Sequence, residues 1–187
     1  MKEPVPEEAL FAFLLTCGLS AVEAAGLEIG DTAVITGSGS LAQSILAAAL
    51  LQGARCVSFA SQRREGELFE TPGKQVRAAV LRAEELRTAN PPSQRFVMWE
   101  TTGEPETLDL LVPQLGPRGK LILCRGDKSC AAQLDCYRDL HKTSAVIESW
   151  NPASPAMLPS WRDCYRRAAC LTQYKRVLKG RAWQTSP

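Results

Sequence analysis

Gly37-Ser38-Gly39-Ser40-Leu41-Ala42 is the stretch whose residue types and spacing come nearest to a chemical function. It reads Gly37-x-Gly39-x-x-Ala42, a pattern suited to a chain that leaves a parallel strand and turns sharply into a helix. Gly37 permits the turn. Gly39 lets the backbone approach a pyrophosphate, because a Cβ there would collide with it. Ala42, in place of a third glycine, lets the helix pack closely on the strand. A helix starting near Ser40 would offer free N–H groups and the positive end of its dipole to the phosphates. Such a pattern gains weight only between a strand and a helix. The alternative is a glycine turn that binds nothing.

The flanking residues supply that context. Thr32–Thr36 is a run of strand formers. Gln43–Gln52 is rich in alanine and leucine, reads as a buried helix and is closed by Gly53. Arg55–Ala60 reads as a second strand. Strand, glycine turn, helix and strand make a βαβ unit, whose crossover forces parallel pairing. Ahead of it, apolar and small residues recur at helical spacing from about Glu7 to Ala25, and Gly26 stops the pattern.

Further elements follow in alternation. Val76–Leu81 reads as a third strand, Ala83–Ala89 as a short helix and Phe96–Trp99 as a strong strand. Pro105–Leu115 is an amphipathic helix, Lys120–Cys124 a strand, Leu134–His141 helical and Ala145–Trp150 a last strand. This order predicts an α/β fold: a doubly wound, mostly parallel sheet with helices on both faces, the Rossmann-like arrangement. Residues 27–150 form its core, 1–26 a crossing helix packed on it, and 151–187 a proline-containing loop and a basic helix over Trp161–Lys179 in the same domain.

The end of the second strand bears on cofactor choice. An acid there would accept hydrogen bonds from ribose hydroxyls, but the position near Ala60 is not acidic. The run is Ser61-Gln62-Arg63-Arg64, whose donors suit a 2′-phosphate. NADP(H) is therefore favoured over NAD(H); the alternative is a solvated polar loop.

Composition narrows the classes. The 187 residues are 45% hydrophobic and 22% charged, with 22 basic against 20 acidic side chains and a net charge of +2. That balance offers no electrostatic case for nucleic acid or a membrane surface. No apolar run reaches the roughly 18–20 residues that span a bilayer, and the acidic N-terminus is unlike a secretory signal. The expected location is the cytoplasm. Seven cysteines at irregular spacing, with no C-x-x-C and a single histidine, His141, argue against a disulfide framework or a zinc cluster. The thiols are expected to be buried or half-buried. Tyr137 and Lys142 are spaced too far apart for a Tyr-x-x-x-Lys pair, and no serine has a base partner in sequence reach.

Thr16–Gly39, with its Gly30-Asp31-Thr32-Ala33-Val34 strand entry and glycine turn, resembles the medium-chain dehydrogenase/reductase superfamily, the zinc-type alcohol dehydrogenase-like proteins. Trp99-Glu100-Thr101-Thr102-Gly103 looks like that family's fourth-strand end beside the cofactor. Leu115–Leu123 looks like its L-x-P-G-G-x-L-V turn, and Leu134–Trp150 like the approach to its final strand. The resemblance spans about residues 8–150. It implies a cofactor-binding domain that holds a nicotinamide dinucleotide, with Thr101, Thr102, Gly103 and the Arg125-Gly126 loop flanking the nicotinamide. The family's GroES-like catalytic domain, its zinc ligands and most of its substrate pocket are expected to be absent. Cys17 falls near a late zinc-ligand position, but one cysteine cannot complete a tetrahedral site.

Three functions stay open. One is NADPH-dependent hydride transfer to or from a small carbonyl, alcohol or activated alkene, with substrate groups from a partner chain or a second copy. Another is a truncated, non-catalytic binding or scaffold protein. The third is a non-redox enzyme with a repurposed crevice. A homodimer joined through the last strand, 145–150, would cover surface left by a missing domain.

Overall fold

The structure is a computed structural model that describes residues 7–37, 39–59, 79–80, 95–124, 134–151 and 166. The described strands are β1 (Thr32–Thr36), β2 (Arg55–Phe59), β3 (Ala79–Val80), β4 (Phe96–Glu100), β5 (Lys120–Leu123) and β6 (Val146–Ser149). They form one sheet in the order β3-β2-β1-β4-β5-β6, and every neighbouring pair is parallel. This is the doubly wound order. Its reversal point lies between β1 and β4, where ligands of such sheets bind at the carboxyl ends of the strands.

Side chains of the central strands alternate between two cores, as the period-2 geometry of a strand requires. Ala33, Ile35, Val97, Trp99 and Ile122 meet helices α1 (Glu7–Ala25) and α2 (Ser40–Leu51) on one face. Val34, Phe96, Met98 and Leu121 meet Leu111, Val112 and Leu115, from α3 (Pro105–Leu111) and the chain after it, on the other. Burial on both faces explains why β1 and β4 read as nearly unbroken apolar runs.

Helix α1 is tied to the sheet by two tryptophans. The indole of Trp99 donates to the Ala21 carbonyl at 3.2 Å, and that of Trp150 donates to Ser20 Oγ at 3.3 Å. Both rings are buried, so each polar N–H has the partner that burial demands. The amino-terminal end of the sheet is closed by charge. Asp31 Oδ2 accepts from the Glu28 N–H at 2.9 Å and pairs with Arg95 at 3.0 Å, joining the entries of β1 and β4.

The expected elements that fall on described residues are present, with several adjusted boundaries. Helix α2 begins at Ser40, where its N-terminus is expected, so Ser40, Leu41 and Ala42 belong to its first turn ahead of the alanine-rich run from Gln43. The helix expected over Pro105–Leu115 is α-helical only to Leu111 and passes into a 3-10 turn, Val112–Gln114. Pro113 explains the change, since it lacks the N–H that would continue the α ladder. The segment expected to be helical over Leu134–His141 is a π-helix, Cys136–His141, capped by Asp135, which accepts from the Tyr137 and Arg138 N–H groups. The last strand is shorter than expected, Val146–Ser149. Arg118 stands where the resembled turn has a glycine and takes φ 56°, a left-handed conformation costly for a side chain with a Cβ. The expectations for Ala83–Ala89 and Trp161–Lys179 lie outside the described residues, apart from helical Arg166.

Gly18 was not singled out in the sequence, yet it sets the closest helix crossing. A Cβ on Gly18 would lie 2.1 Å from the main-chain oxygen of Ser44 in α2. Ser44 is itself buried and returns its hydroxyl to the Leu41 carbonyl at 2.8 Å. Because the obstacle is backbone, whole helices must shift to admit a methyl group. Helix propensity alone would make Gly18→Ala stabilising by about 1 kcal/mol. We expect the opposite sign, a loss of about 1–3 kcal/mol from overpacking, read as a lowered denaturant midpoint.

Candidate functional site

The site lies where β1 and β4 end side by side. β1 runs to Thr36, and Gly37 follows with φ +88°, a left-handed conformation that favours glycine. The chain then enters α2 through Gly39, which is the residue preceding the first helical turn and has ordinary φ −72°. Gly39 has no side chain to cap the helix, and the first turn holds no acid. The positive end of α2 is thus left without a compensating carboxylate of its own, as an anion-binding terminus requires.

The two glycines differ in what surrounds them. A Cβ on Gly37 would sit 2.6 Å from Thr101 Oγ1 and 3.3 Å from Thr102 Cγ2. A Cβ on Gly39 would meet no described atom within 4 Å. Among the described residues nothing therefore gives Gly39 a steric reason to lack a side chain. Space of this kind beside a helix N-terminus fits a diphosphate that approaches the backbone. Ala42 is buried in the core between α2 and the sheet, the place expected for the small third residue of the pattern.

Across from Gly37, the end of β4 is held by Glu100, which is only 2% exposed. Its carboxylate accepts from the Thr102 N–H at 2.6 Å, the Thr102 hydroxyl at 2.5 Å and the Gly103 N–H at 3.1 Å. Gly103 takes φ +72°, and its N–H donates to both carboxylate oxygens at 3.1 Å, so that with the Thr102 N–H it makes a small main-chain nest for an anion. Among the described residues no cation pairs with Glu100, so main-chain N–H groups and hydroxyls satisfy it. Thr101 crosses to β1: its hydroxyl donates to the Thr36 carbonyl at 2.5 Å, and its N–H donates to Thr36 Oγ1 at 3.1 Å. Thr36 Oγ1 in turn donates to the Trp99 carbonyl at 3.2 Å.

The structure thus sets Gly37 against Thr101 and Thr102, at the end of β1 from which Gly39, Ser40, Leu41 and Ala42 lead into α2, with Gly103 in the turn beside them. The hydroxyls of Thr101 and Thr102, two of the residues expected to flank a nicotinamide, are engaged within the protein, on Thr36 and on Glu100. They shape the wall by fixing the backbone. Ser38, Ser61, Gln62, Arg63, Arg64 and Arg125 lie outside the described residues. Glu100 was quoted in the sequence only as part of a resemblance. An acid at the end of an apolar strand, followed directly by Thr-Thr-Gly, was the available signal for it.

The thiols correct one expectation. Cys17 is buried and Cys124 half-buried, but Cys136 is exposed. Burial pushes the Cys17 thiol up to about 11. Burial, reinforced by the nearby Glu100 carboxylate, pushes Cys124 well above the usual thiol range. Among the described residues no group of three His, Cys, Asp or Glu side chains could hold a metal ion. His141 is exposed and stacks on Tyr137 with ring centroids 4.8 Å apart.

The contact between Gly37 and Thr101 supplies a test. Gly37→Ala should cost about 1–3 kcal/mol from the strained φ and the overlap. Thr101→Ala removes the overlapping hydroxyl. In a double-mutant cycle read by thermal or denaturant unfolding, the pair should therefore lose less than the sum of the singles, by more than about 0.5 kcal/mol.

No protein-family model matches the sequence, and no curated protein matches it. Solved structures do match in fold. A thermostable alcohol dehydrogenase from Pyrobaculum aerophilum has a TM-score of 0.69 at 19% identity, over 94% of this chain and 49% of that one. Galactitol-1-phosphate dehydrogenase from Escherichia coli has a TM-score of 0.66 at 18% identity, over 96% of this chain and 53% of that one. CurA from Vibrio vulnificus, solved in complex with NADPH, has a TM-score of 0.63 at 13% identity, over 87% and 52%. The chain spans about half the length of the structures it matches. In fold it is therefore the counterpart of one half of an alcohol dehydrogenase-type protein, as the resemblance in its sequence implied.

Proposed function

We propose that the chain binds a nicotinamide dinucleotide at the crevice between β1 and β4 and serves hydride transfer to or from a small carbonyl, alcohol or activated alkene. The observation that carries this reading is the open Gly39 position at the N-terminus of α2, at the reversal of strand order. The main chain from Gly37 to Ala42 would hold the diphosphate, and the Thr101–Gly103 turn would form the wall beside the nicotinamide. The bound nicotinamide would supply the hydride donor or acceptor.

NADPH is the preferred form in this reading. Ser61, Gln62, Arg63 and Arg64 would take the 2′-phosphate, and the Arg125-Gly126 loop would flank the nicotinamide. The NADPH held by the CurA structure supports the choice. No zinc takes part. Substrate groups would come from a partner subunit or a second copy of the chain. β6 is the edge strand of the sheet, with Val146, Glu148 and Ser149 exposed, and a homodimer through this edge is the arrangement we favour. No described helix is long and apolar enough to cross a membrane, and we place the protein in the cytoplasm.

Gly39→Ser separates folding from binding. Serine accepts the backbone conformation found there and is a better helix cap than glycine, so stability should hold or rise by a few tenths of a kcal/mol. Its side chain would occupy the open space, and its hydroxyl would compete for the N–H groups meant for phosphate. Titration followed by nicotinamide fluorescence should show saturable binding of NADPH to the native chain, weaker binding of NADH, and at least tenfold weaker NADPH binding by the variant. Absence of binding at millimolar NADPH, or equal affinity in the variant, would overturn the reading.

A further inference from the structure

We infer that Glu100 is a positioning residue for this crevice: its buried carboxylate sets the Thr101-Thr102-Gly103 turn, and through Thr101 it sets the distance between that turn and Gly37. The inference rests on the nucleotide-binding reading and adds to it a residue whose side chain need not touch the ligand.

Three facts carry it. Glu100 accepts from two main-chain N–H groups and one hydroxyl of the turn that follows it, all within 3.1 Å. The first residue of that turn, Thr101, bonds through its hydroxyl and its N–H to Thr36, the last residue of β1 before the glycine turn. The same hydroxyl lies against Gly37, at 2.6 Å from where a Cβ would stand. A carboxylate offers acceptors only, and the turn directs two N–H groups and a hydroxyl proton at it, the Gly103 N–H facing both of its oxygens at 3.1 Å. A neutral amide that keeps its oxygen in the place of Oε1 would turn an N–H in the place of Oε2 against the Gly103 N–H, which Oε2 accepts at 3.1 Å, and so set donor against donor at that amide.

Glu100→Gln should therefore loosen the turn without opening a cavity. Amide hydrogen exchange of Thr102 and Gly103, measured without nucleotide, should speed up at least tenfold. NADPH should bind at least tenfold more weakly to the folded variant. Loss of overall stability is controlled with Asp31→Asn, which weakens the Asp31–Arg95 pair at the opposite end of the sheet. That control should keep NADPH affinity within twofold of native and leave exchange at Thr102 and Gly103 unchanged. The inference is overturned if Glu100→Gln binds NADPH as the control does, or if exchange at the two amides stays at the native rate. A native chain that binds no NADPH overturns the nucleotide reading, and the positioning role with it. A native chain that binds while Glu100→Gln binds equally well overturns the positioning role alone.

Discussion

Parallel pairing of β1 with β4 is the contact from which the rest of the structure follows. It lies at the centre of the sheet and marks the point where strand order reverses, so the chain departs from the two strands toward opposite faces. The two ends of this pair are closed by different chemistry. At the amino end an ion pair, Asp31 with Arg95, joins the strands. At the carboxyl end no cation takes part among the described residues. Thr36, Glu100, Thr101 and Thr102 share a set of short hydrogen bonds. One end is fastened by opposite charges. At the other, Glu100 is surrounded by donors, and among the described residues the helix terminus beside it is the local positive element.

The α1 side of the sheet shows a different kind of constraint. Alanine and glycine allow α1 and α2 to approach until main chain meets side-chain-free surface at Gly18 and Ser44. Trp99 and Trp150 then fill what the small residues leave and fasten α1 by their indole N–H groups. Trp99 and Glu100 are neighbours on one strand and point to opposite faces. The first holds a helix on one core and the second holds the crevice turn, so the register of β4 serves both at once.

The sequence made the architecture legible because each strand–helix alternation carried its own local signal. Thr32–Thr36 reads as buried strand, Gly37-x-Gly39 as a turn and the alanine-rich run as helix, and these agree with one another. What was not legible depends on contacts distant along the chain. Gly18 looked like any small helical residue, since its need for smallness comes from Ser44. Glu100 looked like a strand-end acid, since its partners are mainly N–H groups that carry no residue identity. That the hydroxyls of Thr101 and Thr102 bond within the fold, to Thr36 and Glu100, has no local signal either. Pro113 was a readable stop placed inside a helix expected to run past it.

Most of the donors around Glu100 belong to the main chain, and this bears on how such a crevice tolerates change. A backbone N–H is present at nearly every position whatever the side chain. The anchor therefore asks for an acid at the strand end, the hydroxyls of Thr101 and Thr102 after it and a glycine three residues on, and imposes little beyond them. Much of the lettering around this corner can drift while its shape endures, which is one physical route to a shared architecture between chains with fewer than one residue in five alike.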